Sequence, residues 1–132
     1  MDGVLSNSVF EHLDDVAEIT HALAGLTQPS GIHLHFVDLR DHFFKYPFEM
    51  LVYSADVWKN LLNPTSNLNR YRMNDYLNVF QNEFENVAIQ TLERLEAEFQ
   101  AIRLRIRPEF LSGDASIDSV SLIQIIAKGP RE

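Results

Sequence analysis

The feature that most constrains this chain lies in its first 39 residues, where two short apolar runs flank a helical stripe and a breaker turn. Residues 3–8 form an apolar run that ends in Ser and Asn, as a short buried strand would. Asp14 or Asp15 can then cap a helix reaching about Thr27, with Val16, Ile19, Leu23 and Leu26 as its apolar face. Thr27-Gln28-Pro29-Ser30-Gly31 reads as a turn, because proline ends a helix and glycine admits positive φ. Residues 32–39 alternate as a second strand, with Ile32, Leu34 and Phe36 on one face and His33, His35 and Val37 on the other. Strand, helix, turn and strand in so few residues form a βαβ unit, which implies parallel strands and a right-handed crossover.

The remainder extends this into an α/β domain of about four strands and four or five helices. Residues 47–53 and 55–62 read as short helices with Ser54 as the cap between them, and 63–67 as a loop. Asn74 is the expected cap of a helix over 75–84, in which Tyr76, Leu77, Phe80 and Phe84 repeat at helical spacing. Residues 87–92 read as a strand. A helix is expected over 93–107, with Leu95, Phe99, Ile102 and Ile106 on one face and Pro108 as its stop. The last strand falls at 120–127.

Composition excludes several functions. The chain has no cysteine, so disulfides, thiolate metal sites and cysteine nucleophiles are ruled out, which fits a cytoplasmic protein. A net charge of -8 repels phosphate backbones, which argues against a nucleic-acid partner. The basic stripe Arg103, Arg105 and Arg107 follows Glu93, Glu96 and Glu98, an order that suits a helix dipole. The apolar runs are too short to span a bilayer, and the first residues lack the pattern of a signal peptide.

Two stretches resemble class I S-adenosylmethionine-dependent methyltransferases. The first is Asp2-Gly-Val-Leu-Ser-Asn-Ser-Val-Phe-Glu-His-Leu-Asp-Asp-Val with Leu26-Thr-Gln-Pro-Ser-Gly-Ile. It is similar to the fourth strand and following helix of that family, where a Glu-His pair follows the strand and a Pro-Gly turn leads to the fifth. The second is Val37-Asp-Leu-Arg-Asp-His-Phe with Asn69-Arg-Tyr-Arg-Met-Asn-Asp-Tyr downstream. It resembles the segment after the fifth strand in members that carry a substrate-covering helical insertion. The resemblance implies a partial Rossmann-like methyltransferase sheet: first two strands parallel, last antiparallel, and an aromatic helical insertion. The expected organisation is one truncated domain over 1–132, with a strand-helix-strand unit at 1–42, the insertion at 43–84 and carboxyl-terminal strands and helix at 85–132.

The family's amino-terminal half carries a glycine-rich loop and an acidic ribose ligand. The five glycines here (Gly3, Gly25, Gly31, Gly113 and Gly129) are too far apart to form that loop. The resemblance therefore implies S-adenosylmethionine as cofactor without tight binding by this chain alone. It also implies a complementing chain or a homodimer, and a small-molecule acceptor.

Ligands of open α/β sheets sit beyond the carboxyl ends of the strands, and both ends here are polar. Carried over by position, Ser8 and Glu11 are cofactor-side candidates, and His12, Asp38 and His42 are the catalytic ones. Arg40, Asp41, Arg70 and Arg72 are candidates for binding the acceptor. Bland readings stand beside these: Glu11 as a helix-terminus acid, His12 in a structural hydrogen bond, Asp38, Asp41 and His42 in a solvated loop, and the arginines paired with internal acids. His33 and His35 have metal-like spacing. Without a third ligand at a fixed offset, they are expected on a half-exposed strand face, and no metal is expected.

Overall fold

A computed structural model describes residues 1–41, 46–63 and 68–131. Strands β1 (Gly3–Asn7), β2 (Ile32–Asp38), β3 (Phe84–Arg94) and β4 (Val120–Pro130) make one mixed sheet in the order β1-β2-β4-β3. β1 and β2 are parallel, with Leu5 beside Leu34 and Asn7 beside Phe36. β4 runs antiparallel to both β2 and β3. The sheet thus has the mixed α/β arrangement that the methyltransferase resemblance implies.

Between β1 and β2 lie a single 3-10 turn (Phe10–His12) and helix α1 (Val16–Gly25). The Asp15 carboxylate accepts from Glu18 N at 2.9 Å and supplies the cap. Pro29 and Gly31 end the crossover; a Cβ on Gly31 would lie 2.4 Å from Thr27 Cγ2, so only glycine closes this turn without displacing the helix end. The α1 face turned inward is Val16, Thr20 and Ala24. The expected stripe fails in part, because Ile19 and Leu26 are exposed.

Helix α2 (Ala55–Val57) starts at Ser54, whose Oγ accepts from Val57 N, and continues as a π turn over Trp58–Leu62. Helix α3 (Met73–Glu83) begins at Arg72 rather than Asn74, because the Asp75 carboxylate accepts from Arg72 N at 2.8 Å. The helix expected over 93–107 is replaced by three elements: β3 runs on through Arg94, α4 covers Glu96–Ile102, and a 3-10 turn follows at Arg103–Arg105. Its apolar stripe is real all the same, since Phe99, Ile102 and Ile106 are buried together with Leu95 packed against them. A short helix α5 (Ala115–Asp118) leads into β4.

Two apolar cores result. The first lies between one face of the sheet and helices α1 and α3, around Phe10, Val37, Tyr76, Phe80, Phe84, Ile123 and Ile125. The second gathers Phe48, Met50, Leu51, Trp58 and Leu68 of the insertion with Phe99, Ile102 and Ile106. His33 and His35 belong to the first and are fully buried, which overturns their expected half-exposed face. The reverse face of β2 is the open one: Ile32 is 45% exposed, its β1 neighbour Leu5 is 71% exposed, and Leu34 and Phe36 are partly exposed.

Candidate functional site

The carboxyl ends of β1 and β2 are adjacent, and most of the candidate residues collect there. β1 stops at Ser8, which takes a left-handed φ of 58° while its N–H donates to Phe36 O at 2.9 Å. A non-glycine residue in that region costs about 1 kcal/mol, and it turns the chain at once into the Phe10–His12 turn. The turn is held from the insertion. Asn69 Nδ2 donates to Phe10 O and Leu13 O, both at 2.8 Å, and Asn69 N donates to Glu11 O at 2.8 Å. Tyr71 N and the Tyr76 hydroxyl converge on Asn69 Oδ1. Asn69 was not singled out from the sequence. Its only signal there is its place at the head of Asn69-Arg-Tyr-Arg.

Glu11 is the unusual member. It is 2% exposed, and neither carboxylate oxygen has a hydrogen-bond partner among the described residues. Burial raises its pKa and the charge of Asp38 raises it further, while the backbone N–H groups of Glu11 and Asp38 and the neighbouring His12 pull the other way. His12, beside it, is half-buried.

Asp38 ends β2 and is nearly buried. Its Oδ1 accepts from Arg40 N at 2.9 Å and Arg40 Nε at 3.0 Å, and its Oδ2 from Arg40 Nη2 at 2.7 Å. This fork raises the Arg40 pKa. Asp41 is buried one residue further on, with its N–H donating to Pro47 O at 2.7 Å. His42 lies outside the described residues, as do Phe43 and Phe44 of the aromatic insertion.

The two insertion arginines are built into the fold. Arg72 is buried; Nη1 donates to Leu39 O at 2.8 Å and Nη2 to Val120 O at 3.4 Å, tying the end of β2 to the start of β4. Desolvation lowers its pKa to about 10. Arg70 Nη1 donates to Tyr53 O at 2.6 Å and Met50 O at 3.2 Å, and its guanidinium lies over the rings of Phe110 and Trp58. Ser8, Glu11, His12, Asp38, Arg40 and Asp41 therefore share one end of the sheet. Arg72 braces it from beneath, and Arg70 serves the second core.

The set gathers carboxylates, an imidazole and a hydroxyl at one end of the sheet, with no glycine-rich loop beside it among the described residues. The two glycines with positive φ, Gly113 and Gly129, lie in a turn and near the end of β4, and Gly31 closes the crossover. None opens a strand's carboxyl end to a ligand. Among the described residues no group of three or more His, Asp or Glu could hold a metal ion, and no helix is long and apolar enough to cross a membrane.

The fold has known counterparts. The chain aligns over 99% of its length with Haemonchus contortus phosphoethanolamine N-methyltransferase 2. The match is at 13% identity in two structures: one with S-adenosyl-L-methionine (TM-score 0.54), the other with phosphomonomethylethanolamine and S-adenosylhomocysteine (TM-score 0.56). It aligns equally fully, at 16% identity and a TM-score of 0.53, with a complex of the Haloferax volcanii Trm112 methyltransferase activator and a methyltransferase. No protein-family model matches the sequence, and no curated protein matches it either. The chain spans 34% of the Haemonchus chains and 55% of the Haloferax one.

Proposed function

We propose that this chain is the acceptor-side half of an S-adenosylmethionine-dependent methyltransferase, active when a cofactor-binding half completes its sheet. The fold is that of S-adenosylmethionine-dependent methyltransferases, and the chain matches one part of those longer proteins. The observation that supports the reading is the pairing of a polar strand-end site with an edge strand and a partly open sheet face beside it. Parallel strands belong to sheets covered on both faces, yet on one side β1 and β2 leave Leu5 and Ile32 exposed and Leu34 and Phe36 partly exposed. β1 is also an edge, with a free row of backbone groups and Asp2 as the nearest charge.

In this reading Ser8 and Glu11 border the cofactor, and His12 and Asp38 face a small-molecule acceptor. The Arg40 fork fixes the Asp38 carboxylate in one orientation, and Asp41 lies beside it. His42 belongs to the same acceptor side by its position in the sequence. Methyl transfer requires an acceptor aligned with the donor and, for a protonated acceptor, a base in reach. An imidazole and a fixed carboxylate at one strand end meet the second need. The compartment that suits a cysteine-free chain of this kind is the cytoplasm.

A second reading rests on the same free edge: a non-catalytic half-domain that assembles as a two-fold homodimer through β1 and the open face. Co-expression with a cofactor-binding methyltransferase half tests the two together. The first reading expects a one-to-one heteromer with transfer of labelled methyl groups, lost in His12→Ala and Asp38→Asn. The second expects a 30 kDa-class dimer of this 15.2 kDa chain by sedimentation, indifferent to the added half.

A further inference from the structure

The covered face of β1 and β2 carries a hydrogen-bonded chain that no methyl-transfer role uses. Ser6 Oγ lies 2.6 Å from His35 Nδ1, His35 Nε2 lies 3.1 Å from His33 Nδ1, and His33 Nε2 lies 2.8 Å from Thr27 Oγ1. Thr27 Oγ1 then donates to Leu23 O at 2.6 Å, in the last turn of α1. Five residues of one crossover unit are thereby joined from the edge strand to the helix end.

The far end fixes the direction of the whole chain. A main-chain carbonyl only accepts, so the single hydroxyl proton of Thr27 is committed to Leu23. The contact between Thr27 and His33 therefore needs a proton on His33 Nε2. That leaves His33 Nδ1 as an acceptor, so His35 must carry its proton on Nε2. His35 Nδ1 is then an acceptor in turn and takes the hydroxyl proton of Ser6. Each gap holds one proton, and both rings are neutral with the same tautomer.

An added proton has one place of entry, His35 Nδ1, where the Ser6 hydroxyl can rotate to accept. Among the described residues, those packed against the pair offer no charge to balance it. His35 packs on Phe10 and Phe80, His33 packs on Phe84, and Ile125 and Ala127 flank them on β4. α1 offers Thr20, the turn after it offers Thr27, β1 offers Ser6, and the buried groups of α3 are Tyr76 and Phe80. The Glu83 carboxylate is turned outward to the exposed His21. Glu11, on the turn beside Phe10, makes no hydrogen bond to either ring. Burial accordingly holds His35 down to about 4, with His33 adding to the effect, and burial lowers His33 as well.

We propose that the Ser6–His35–His33–Thr27 chain is an acid-sensitive latch that holds β1 and α1 onto β2 and releases them when His35 is protonated. The release is local because β1 pairs on one side only, over five residues, whereas β4 lies between two strands, paired with β2 from Leu122 to Lys128 and with β3 from Val120 to Pro130. What it gates is the sheet edge at β1, so acidification unmakes that edge before it unmakes the rest of the sheet.

The test is histidine-ring nitrogen NMR and amide hydrogen exchange on the full chain between pH 7.5 and pH 4.5. At pH 7.5 both rings should be neutral with the proton on Nε2. On acidification, protection of β1 and α1 amides should fall at least tenfold further than that of β4. His35→Gln should abolish this difference. Thr27→Val should scramble the His33 tautomer, and Thr27→Ser should restore it. A charged ring or an Nδ1 proton at pH 7.5, loss of β1 and β4 protection together, or an unchanged tautomer in Thr27→Val would each overturn the latch. If His35→Gln does not fold, the wild-type exchange profile and the Thr27 pair still decide it.

Discussion

Replacing Glu11 by methionine should stabilise the protein, and by an amount that depends on pH. The carboxylate is 2% exposed, makes no well-formed hydrogen bond at either oxygen among the described residues, and feels the charge of Asp38, with the backbone N–H groups of Glu11 and Asp38 offsetting only part of this. Exchanging buried, poorly compensated charge for an apolar side chain of similar length is worth roughly 1–4 kcal/mol. With neither oxygen in a well-formed hydrogen bond and Asp38 repelling, about 2 kcal/mol is expected at pH 7.5. The sign against pH follows from the raised pKa. The folded state binds the Glu11 proton more tightly than the unfolded chain, so its penalty is absent below 4.5 and appears as pH rises through the folded value. The histidine latch is common to both proteins and cancels. Urea denaturation at pH 7.5, 6 and 5 measures the difference; with a slope of about 2 kcal/mol/M, the midpoint should rise by about 1 M at pH 7.5 and by less at pH 5. A variant less stable than wild type, or a difference that ignores pH, would refute the reasoning and mean that the carboxylate has a partner it needs.

Other substitutions probe the fold and its open sheet face. Phe80→Ala, which empties the centre of the first core, should cost about 3–5 kcal/mol by thermal or chemical denaturation. Gly129→Ala, at a φ of +70° in β4, should cost about 1–2 kcal/mol by the same measurement. Leu5→Lys should leave the isolated chain within about 0.5 kcal/mol of wild type, because Leu5 is already solvated, while weakening assembly measured by sedimentation. Global stability should also fall from pH 6.5 toward pH 4, since the unfolded chain binds protons that the buried His35 refuses; at about 2.5 pH units this is ~3 kcal/mol, opposed in part by Glu11.

The crossover unit was legible because its signals are local: an Asp cap, a Pro-Gly turn and two apolar runs of strand length. Parallel pairing of β1 with β2 and the antiparallel last strand followed from that unit and from the family resemblance. The face assignment of β2 failed because alternation reports two faces without saying which is buried. His33 and His35 look polar in isolation, and only Ser6 and Thr27, brought from elsewhere in the fold, satisfy them well enough to be buried. The helix expected from Glu93 failed for a related reason. Glu93 and Arg94 have no strand pattern of their own, yet they pair with Leu122 and Val120 across a bulge. Near Pro108 the backbone is pushed out of the helical region, so the stripe to Ile106 is completed by a 3-10 turn. At the candidate site, residue type and strand-end position were enough to place Glu11, His12, Asp38 and Asp41 at one end of the sheet, which fixes their position and not their role. Arg70 and Arg72 could not be told from substrate ligands until the carbonyls they hold were in view.

The central claim is that this chain carries one side of a methyltransferase site and lacks the cofactor cradle. Calorimetric titration of S-adenosylmethionine into the chain alone, and into the chain assembled with a cofactor-binding half, tests it most directly. The account predicts no low-micromolar binding by the isolated chain, and binding near -8 kcal/mol, about 1 µM, once the sheet is completed. Low-micromolar binding by the chain alone would contradict it.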